Sequence, residues 1–594
     1  MVKEKWMIYG KKADFNGLSA KFKISPFAAR IIRNRDIVSD NDFDLYLNGT
    51  IDSINSPFLF KDMKKAVDIL LKSITEKRKI RVIGDYDIDG ICSTYILTEG
   101  IRCIGGNVSM DIPDRVKDGY GINSDIINRA KKDGIHLLIT CDNGIAAIEE
   151  IKLAKELGLT VIVTDHHQVP FEEIEGKKIY KRVAADAVIN PKQPDCEYPF
   201  KELCGGGIAY RFMKAVEERL SELFDIRSND ISQFEEEMIT FAAIATIGDV
   251  VSLTGENRII AKEGLRLIKN TCNKGLAALL KACELSDSKI SSFHVGFIIG
   301  PCLNATGRLE TAKMGYELLV SKNEEEAEKI AYLLAELNDK RKNMTAEGEN
   351  LAKLLAEEYD KDRVLVLYLK DVHESIAGII AGRIREKYNK PTIILTDGKD
   401  MVKGSGRSIE GYNMFEEINA CSDLLERYGG HPMAAGLSLK KENIEAFREK
   451  LNKNCKLNDE DFIRKIWIDI PLPTSYINEE FINELSKLEP FGKNNEKPLF
   501  AIKDVSIKRI YLIGNNRSFA KISIEDNGHK IIGMMFSGVE EFFVKVEDKY
   551  GSDVASKLKM GVPCEIKASF AYYPVINEYK GNKSLQLNIS GYML

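Results

Sequence analysis

The chain has 594 residues, more than a single hydrophobic core can hold, and this length predicts about four domains. Its 44% hydrophobic and 29% charged residues are typical of a folded globular protein and exclude the fibrous and disordered classes. The net charge of -5 gives no overall basic signal, so any contact with nucleic acid has to come from local patches.

The cysteines and the first residues indicate the environment of the protein. The 11 cysteines are scattered, form no C-x-x-C pair, and several lie in apolar stretches, as reduced thiols do. The first residues contain no apolar signal-peptide core, and no apolar run reaches the ~18 residues of a membrane span. We therefore expect a reduced, cytoplasmic protein without a membrane segment.

The N-terminal part alternates apolar runs with helical patterns. Residues 1–60 are mixed, with helical spacing near residues 25–35, and we predict an N-terminal extension that packs on the next domain of the chain. Beyond it, buried strands are predicted at residues 80–84, 136–140, 160–164 and 186–190. Helical spacing at residues 145–158 separates two of these strands. This alternation predicts βαβ units and a parallel sheet.

The middle of the chain is predicted to be helical and then to return to an α/β pattern. Residues 232–320 are mostly helical, and a long charged helix from Asn323 to about Tyr359 is expected to connect two lobes. A second, smaller α/β unit comes next. Its elements are a strand at residues 363–369, a helix at 374–388, a strand at 392–395 and a glycine-rich loop.

From about residue 465 the pattern changes to alternating strands. They are predicted at residues 505–513, 518–524, 529–536, 564–573 and 584–590. Asn527-Gly528 and residues 581–583 are hairpin signals, and a helix is expected near residues 539–549. Five strands with one inserted helix favour a small closed barrel.

Acidic residues follow the first three predicted strands, in GDYDIDG (84–90), CDNG (141–144) and VTDHH (163–167). The carboxyl ends of parallel strands share one edge of a sheet, where ligands bind. We expect these side chains, and one after the apolar run 238–248, to converge there: Asp85, Asp87, Asp89, Asp142, Asp165, His166, His167 and Asp249. For any single aspartate the alternative is a helix cap, because such residues often accept from the first N–H groups of a helix.

This group of side chains indicates a metal site. Carboxylates packed closely repel one another unless a cation lies among them. Many carboxylates with a single imidazole suit Mn²⁺ or Mg²⁺ better than zinc, and the oxygens suffice for two ions bridged by one aspartate. Two such ions activate a water and stabilise the leaving oxygen in phosphoryl hydrolysis. The residues alone therefore predict metal-assisted hydrolysis of a phosphate ester or anhydride.

The motifs GDYDIDG, CDNG, VTDHH and IGDVV resemble, in order and spacing, those of the DHH phosphoesterase superfamily. GSGRS (404–408) and GGHPMAAG (429–436) are similar to its DHHA1 substrate-binding domain, and LEPFGKNNEKPLF (488–500) opens the predicted barrel. The combination resembles the bacterial RecJ exonucleases. It implies an α/β protein with an N-terminal extension (1–60), a parallel-sheet DHH catalytic domain (61–322), a connecting helix (323–359), a smaller α/β DHHA1 domain (360–460) and a C-terminal OB-like nucleic-acid-binding barrel (461–594).

The resemblance also implies roles for single residues. Asp87 and Asp142 would hold one ion, and Asp89, Asp142, His166 and Asp249 the other, while Asp85 and Asp165 would support these ligands and His167 would face the scissile phosphate. Phosphates of the substrate would contact Arg115, Arg308, Ser405, Arg407 and His431. An ordinary ion pair is the alternative for each of these five. The glycines 205–207 are a further candidate for N–H contacts to phosphate, although the start of a helix is an adequate structural reason for them.

Two positions depart from the family pattern. Ile83 stands where some members of the superfamily have a histidine ligand, which implies fewer protein ligands for the first ion. Cys302 stands where relatives often carry an arginine, which implies one substrate contact less.

The barrel favours a polynucleotide substrate, because DHH enzymes that act on small molecules need only the two lobes. Basic and aromatic side chains suit the backbone and the bases of a single strand. The candidates are Lys508, Arg509, Tyr511, Arg517, Tyr572, Tyr573 and Lys580 on the barrel, with Arg383 and Lys387 on one face of the helix at 374–388. Alternating tyrosine and lysine also describes an ordinary solvated sheet face.

The resemblance implies a 5′-to-3′ exonuclease that acts on single-stranded DNA, releases 5′-mononucleotides and works in DNA repair and recombination with two divalent cations, Mn²⁺ or Mg²⁺. It extends to a single-strand-binding protein and a RecQ-type helicase as partners, and a monomer is expected. One alternative is a short-oligonucleotide or nucleotide phosphatase, similar to a nanoRNase. The other is a DNA-binding scaffold without metal, which the full set of ligands argues against.

Overall fold

The computed structural model describes residues 3–114, 121–174, 176–224, 229–579 and 581–594. The chain divides into two compact units: the first contains Thr50–Arg464, and the second contains Lys5–Gly49 with Lys465–Leu594. The predicted domain boundaries are not decided by this division and stay predictions. Within the described ranges, no helix is both long enough and apolar enough to cross a membrane.

The N-terminal segment folds with the barrel region, whereas the sequence suggested an extension packed on the next domain of the chain. Its elements are β1 (Glu4–Ile8), α1 (Phe15–Phe22), α2 (Pro26–Asn34) and α3 (Asp40–Asn48). Ile31, Ile32 and Phe43 are fully buried in the core of the second unit. The buried guanidinium of Arg35 lies 2.8 Å from Asp469, so a buried ion pair fixes the segment there.

The first unit is built on a parallel sheet. Its elements are α4 (Met63–Thr75), β2 (Lys79–Ile83), α5 (Ile88–Cys103), β3 (Asn107–Asp111), α6 (Ser124–Lys132), β4 (Leu137–Cys141), α7 (Ile148–Glu156), β5 (Thr160–Thr164), β6 (Phe171–Ile174), β7 (Lys177–Tyr180) and β8 (Ala187–Ile189). The order β3-β2-β4-β5-β8, with all neighbours parallel, confirms the predicted parallel sheet. The sequence missed β3 because this edge strand carries polar residues at three of its five positions. It also missed the exposed β6–β7 hairpin.

The strand ends are aligned along one edge. The amide of Asp142 donates to Thr164 at 3.1 Å, and that of Asp165 donates to Ile189 at 3.0 Å, so the ladder continues past the ends of β4 and β5. The chain passes from β2 outward to β3 on one side and then to β4 on the other. Such a reversal opens a crevice at the carboxyl edge, which is where ligands bind in open α/β sheets.

A helical region comes after the sheet. It contains α8 (Gly205–Phe224), α9 (Asn229–Gly248), α10 (Gly255–Ile268), α11 (Lys274–Ala282), α12 (Ser292–His294), a π-helix (Val295–Ile299), α13 (Gly300–Leu309), α14 (Lys313–Val320) and α15 (Glu324–Glu358). The α12 segment, the π-helix and α13 form one continuous helix. The 35-residue α15 is the predicted connecting helix, and Asn323 caps it by accepting from two backbone amides.

The second lobe of the first unit is a five-stranded sheet with helices. Its elements are β9 (Leu365–Tyr368), α16 (Glu374–Tyr388), β10 (Thr392–Asp397), β11 (Val402–Arg407), α17 (Met414–Asn419), β12 (Arg427–His431), β13 (Ala434–Leu439) and α18 (Ile444–Asn454). The strand order is β12-β13-β11-β10-β9, and only the pair β9–β10 is parallel.

The C-terminal part of the second unit is a closed barrel. Its elements are β14 (Arg464–Ile468), β15 (Ile470–Pro471), α19 (Glu479–Ser486), β16 (Phe500–Ile513), β17 (Phe519–Asp526), β18 (His529–Met535), α20 (Val539–Tyr550), α21 (Ser552–Lys559), β19 (Ile566–Tyr579) and β20 (Asn582–Met593). The order β16-β17-β18-β20-β19 closes through the pair β19–β16, as predicted. Asn527 and Gly528 both have positive φ, the conformation that a tight hairpin requires.

Candidate metal centre

The loop after β2 brings two aspartates to the start of α5. Asp87 is the helix cap, and its Oδ1 accepts from the amides of Asp89 at 3.0 Å and Gly90 at 3.1 Å. The alternative considered for the sequence, a capping aspartate, is therefore realised at this position. It does not exclude a metal role, because a carboxylate has further lone pairs to offer.

Asp89 is held by the start of α8. Its Oδ2 accepts from the amide of Gly205 and its Oδ1 from that of Gly206, both at 2.7 Å. The glycines 205–207 form the start of α8, which was the structural alternative to a phosphate contact, and two of their amides bind a carboxylate of the protein. A Cβ on Gly205 would lie 2.7 Å from the Cβ of Asp142, so glycine permits the close approach of these loops.

Asp142 follows β4 in a left-handed conformation with φ of 61°. This conformation is unfavourable for a non-glycine residue, and such outliers concentrate at functional sites. The side chain of Asn143 holds the turn by donating to the carbonyl of Cys141 at 2.9 Å and to that of Ile83, on the neighbouring β2, at 3.2 Å.

The two histidines after β5 have different surroundings. The Nε2 of His166 lies 3.0 Å from Asp142, 3.6 Å from Asp89 and 3.8 Å from Asp249, so this imidazole faces the carboxylates. The Nδ1 of His167 lies 2.8 Å from Asp165. Asp165 therefore orients His167, and it also accepts from the amide of Ile145 at 2.8 Å.

The side chains form three overlapping groups of candidate ligands, and within each group the ligand atoms lie within 4.8 Å of one another. The groups are Asp85, Asp87 and Asp142; Asp89, His166 and Asp249; and Asp142, His166 and His167. The aspartates and histidines after three separate strands, together with Asp249 after α9, thus converge as expected. Asp85 joins a group directly, whereas a supporting position was expected for it.

The charges of the cluster perturb one another. Burial and the neighbouring Asp89 raise the pKa of Asp87 and raise that of Asp142 well above its usual range. The same causes raise the pKa of Asp249 to about 8. Uncompensated negative charge in a buried site produces these shifts.

The pKa values of His166 and Asp165 are lowered, and that of His167 is raised. Burial lowers the pKa of His166 to about 4, so this imidazole is neutral and keeps a lone pair. Burial also opposes the charge on His167, but the hydrogen bond to Asp165 outweighs it and raises the pKa of His167 to about 9. Burial alone would raise the pKa of Asp165, yet the bond from His167 lowers it. His167 and Asp165 therefore form an ion pair at neutral pH.

A cavity of about 320 Å³ opens beside the cluster. It is lined by Asp85, Tyr86, Asp87, Ile88, Gly248, Asp249, Asn304, Gly307 and Arg308. Asn304 accepts from the amide of Ile88 at 2.8 Å and so ties α13 to the loop that carries the aspartates. Arg308 donates to the carbonyl of Ser375, on α16 of the second lobe, at 2.6 Å.

The other substrate candidates that the structure describes lie on the second lobe. A Cβ on Gly378 of α16 would lie 2.9 Å from both Arg407 and Ser405, so these side chains face the helix that also meets Arg308. Arg407 and His431 share a register row, since each pairs with Ala434. Arg308, Ser405 and Arg407 therefore lie near α16, and His431 shares a register row with Arg407. Arg115 lies outside the described residues.

Several strand-binding candidates are placed elsewhere than expected. Tyr572 is fully buried in the barrel core and donates to the carbonyl of Leu472 at 2.6 Å, so it cannot stack on a base. Tyr573 is 8% exposed, and Lys497 covers its ring at 4.0 Å. Consecutive residues of a strand face opposite sides of the sheet, so β19 is covered on both sides here, which the sequence did not show.

The remaining candidates have local partners. Arg509 donates to the hydroxyl of the exposed Tyr511 at 2.6 Å, Lys508 pairs with Glu565 at 2.9 Å, and Arg517 donates to the carbonyl of Lys559 at 3.2 Å. Arg383 pairs with Glu349 at 2.7 Å, and Lys387 lies over the ring of Tyr388. Lys580 lies outside the described residues.

Two contributors to the site were not predicted from the sequence. Asn304 holds the loop after β2, and Tyr86 lines the cavity. Tyr86 lies inside the motif GDYDIDG and Asn304 lies four residues before Arg308, but these residue types suggested no metal chemistry. The only available signal was the position of Tyr86 between Asp85 and Asp87 and that of Asn304 near Arg308.

Three family models match the chain: the DHH family, N-terminal domain (residues 79–246), the DHHA1 domain (residues 361–457) and the RecJ OB domain (residues 468–591). Together with the parallel sheet, the acidic cluster and the closed barrel, they define a multidomain protein of the DHH class.

Two relatives and two solved structures extend this match. The single-stranded-DNA-specific exonuclease RecJ of Haemophilus influenzae is 31% identical over 95% of this chain and 95% of its own length. That of Bacillus subtilis is 35% identical over 89% of this chain, which spans 65% of the relative's length. The chain belongs to the family of RecJ single-stranded-DNA-specific exonucleases, as its motifs predicted.

Among solved structures, RecJ of Thermus thermophilus in complex with Mn²⁺ matches with a TM-score of 0.80 and 25% identity, covering 100% of this chain and 80% of that one. An exonuclease RecJ bound to manganese matches with a TM-score of 0.57 and 30% identity, covering 67% of this chain and 96% of that one.

Proposed function

We propose that this chain is a metal-dependent exonuclease that degrades single-stranded DNA from the 5′ end and releases 5′-mononucleotides in DNA repair and recombination. The observation that supports this most directly is the set of overlapping ligand groups around Asp142, next to a cavity lined by Arg308. The names of the relatives supply the substrate. The 5′ polarity and the mononucleotide product follow from the family resemblance.

The donor set fits two divalent cations, Mn²⁺ or Mg²⁺. Carboxylate oxygens with one neutral imidazole suit these ions, and a cation would relieve the repulsion that raises the pKa values of Asp142 and Asp249. Asp89, Asp142, His166 and Asp249 would hold one ion, and Asp87 and Asp142 the other, with Asp85 beside them. Two such ions supply an activated water and stabilise the leaving oxygen of a phosphodiester.

The residues around the ligands bind and orient the substrate. His167, protonated below about pH 9, donates to a non-bridging oxygen of the scissile phosphate, and Asp165 fixes the ring in position. Arg308 binds a phosphate at the wall of the cavity. Ser405, Arg407 and His431 bind the phosphates of the strand beside α16.

An exposed aromatic pair suits the bases of the strand. Phe293 and Phe297 are 58% and 68% exposed, and their rings stack with centroids 5.0 Å apart. They lie at helical spacing with Asn304 and Arg308 on the continuous helix, on the face that the core leaves open. Base stacking on exposed rings tolerates any sequence, as an exonuclease requires.

The barrel of the second unit supplies a further surface of the kind that single strands use. Exposed Tyr511 beside Arg509 offers a ring and a guanidinium. A single-strand-binding protein and a RecQ-type helicase as partners, a monomeric state and a cytoplasmic location complete the proposal. Sedimentation of the purified chain with and without each partner tests the first three.

Release of label from single-stranded DNA marked at either end tests the activity. Reactions contain Mn²⁺, Mg²⁺ or EDTA and compare the wild type with Asp142→Asn and with Asp287→Asn, an exposed position outside the cluster. We expect early release from the 5′ end alone, which EDTA and Asp142→Asn abolish and Asp287→Asn retains.

Other outcomes distinguish the alternatives. Cleavage of dinucleotides while long strands survive would favour the phosphatase. Early release from the 3′ end would overturn the polarity, and an inactive protein with either ion would return the scaffold to consideration.

A further inference from the structure

Two cysteines meet behind the wall of the substrate cavity. Cys302 lies on α13 with 1% of its surface exposed, and Cys283 directly follows α11 and is partly exposed. Their sulfur atoms are 3.7 Å apart. A disulfide has a sulfur–sulfur distance of ~2.05 Å, so closing the bond needs an approach of about 1.7 Å.

The surroundings assign different roles to the two thiols. The hydrogen bond with Cys302 lowers the pKa of Cys283, and Lys342 acts in the same direction. The same bond and burial raise the pKa of Cys302. The thiolate is the nucleophile in thiol oxidation, so the partly exposed Cys283 reacts first and the buried Cys302 resolves.

Cys302 is connected to the long helix α15 and, along α13, to the candidate metal centre. Its sulfur accepts from the side chain of Asn338 on α15 at 3.4 Å, and Arg341 donates to Asn338 at 2.9 Å. On α13 it precedes Asn304, which holds the loop of Asp87 and Asp89, by two residues. Movement of this sulfur is therefore transmitted to a residue that positions the candidate ligands.

We propose that Cys283 and Cys302 form a reversible disulfide that lowers the nuclease activity of the chain. A hydroperoxide is the oxidant. The thiolate of Cys283 attacks one peroxide oxygen, the O–O bond breaks, and a sulfenic acid and an alcohol or water form after the alkoxide or hydroxide takes a proton. The thiol of Cys302 then displaces water from the sulfenic acid and forms the S–S bond. The two thiols lose two electrons to the peroxide, and a dithiol restores them.

The activity part of this proposal rests on the proposed function, while the disulfide itself does not. A displacement of about 1 Å at a catalytic group can cost ~10²-fold in rate, and a displacement passed on through Asn304 is smaller, so we expect a loss of about tenfold.

The experiment treats the full chain with millimolar hydrogen peroxide and then with dithiothreitol. Mass spectrometry of peptides under non-reducing conditions detects the crosslink, and release of mononucleotides measures activity in parallel. The wild type is compared with Cys283→Ser, which removes the attacking thiol, and with Cys272→Ser, which removes an exposed cysteine elsewhere.

We expect a Cys283–Cys302 crosslink with loss of two hydrogen atoms and a reversible tenfold loss of activity in the wild type and in Cys272→Ser. The Cys283→Ser protein should start with wild-type activity and keep it under peroxide. The site is overturned if Cys302 stays alkylatable after treatment, or if only irreversible acids form. Control of activity is overturned if the crosslink forms and the rate is unchanged. A reduced wild type without nuclease activity would contradict the proposed function, and the mass spectrum would still decide the site.

Discussion

One edge of the parallel sheet carries two kinds of buried carboxylate. Asp142, after β4, lies among Asp87, Asp89 and Asp249, and its pKa is raised well above the usual range by burial and by these charges. Asp111, at the end of β3, lies against Lys313 at 2.8 Å and Arg129 at 3.1 Å. Burial would raise the pKa of Asp111 too, but the two cations lower it.

Burial alone does not distinguish Asp142 from Asp111. The carboxylates of Asp142 and Asp111 are 4% and 7% exposed, so both are equally withdrawn from water. The difference lies in the counter-charge. Asp111 receives it from the chain and ties β3 to two helices, whereas the cluster around Asp142 gathers negative charge that a cation from solution can neutralise.

The largest expected effect is on catalysis. Replacement of Asp142 with Asn should lower the rate of nucleotide release by about 10³-fold, because the residue is shared by two groups of candidate ligands. Asp111→Asn should keep the wild-type rate. Steady-state kinetics on end-labelled single strands measures both variants. Equal losses in the two would break the comparison, because the edge would then act as a single site.

A smaller loss is expected where the backbone shapes the cluster. In Gly205→Ala the new Cβ would lie 2.7 Å from Asp142 and 3.0 Å from the carboxylate of Asp89, so the ligands must move, and the rate should fall by about 10²-fold. In Gly207→Ala, on the same helix, the nearest atoms to the new Cβ belong to the Leu203 side chain, at 3.2 Å and beyond, and most activity should remain. Manganese titration of both proteins should show weaker binding in Gly205→Ala alone; unchanged binding there would mean that the loops tolerate the contact.

The free energy of unfolding should be lowered more by Asp111→Asn than by Asp142→Asn, the reverse of the order expected for the rate. Asp111→Asn leaves Lys313 and Arg129 facing an amide, and we expect the free energy of unfolding to fall by about 1–3 kcal/mol. Asp142→Asn removes one of the mutually repelling charges, so the metal-free protein should be at least as stable as the wild type. Urea unfolding in EDTA, followed by circular dichroism, measures both. A greater loss in Asp142→Asn than in Asp111→Asn would contradict this account.

A further expected effect is a pair of opposite slopes of stability against pH. The folded pKa of Asp249, about 8, lies above the unfolded value of ~3.9, so the folded protein holds an extra proton between these values and its stability falls as pH rises through that window. The folded pKa of Asp111 is depressed, so its contribution is present above pH ~3.9 and is lost as pH falls through the folded value.

Urea midpoints in EDTA across this range measure the slopes. Asp249→Asn should flatten the decline between about pH 4 and 8, and Asp111→Asn should flatten the acid limb alone. Saturating Mn²⁺ should remove the decline in the wild type, because metal binding displaces the proton. A wild-type decline that persists in Asp249→Asn would assign it to other groups.

Much of the fold and of the candidate site could be predicted because the local pattern determines it. The apolar runs of β4 and β5 end in Cys141-Asp142 and Thr164-Asp165, and parallel strands place such ends at one edge whatever surrounds them. The helix predicted at residues 374–388 has the same bounds in the structure. The pair Asn527-Gly528 predicted a tight hairpin turn correctly, because both residues adopt positive φ readily.

The tertiary structure alone decided which partners the functional groups receive. The amides of Gly205 and Gly206 bind Asp89 because α8 begins beside α5, and no sequence pattern fixes that distance. Tyr572 faces the core and Tyr511 faces water because closure of the barrel selects one side of each strand. Asp111 ends the edge strand β3 and Asp142 follows the buried strand β4, and only the positions of Lys313 and Arg129 make Asp111 a structural residue. The sequence determines which chemical groups follow each strand. The counter-charges come from segments distant in the chain, so the distance between a carboxylate and its partner is set only by folding.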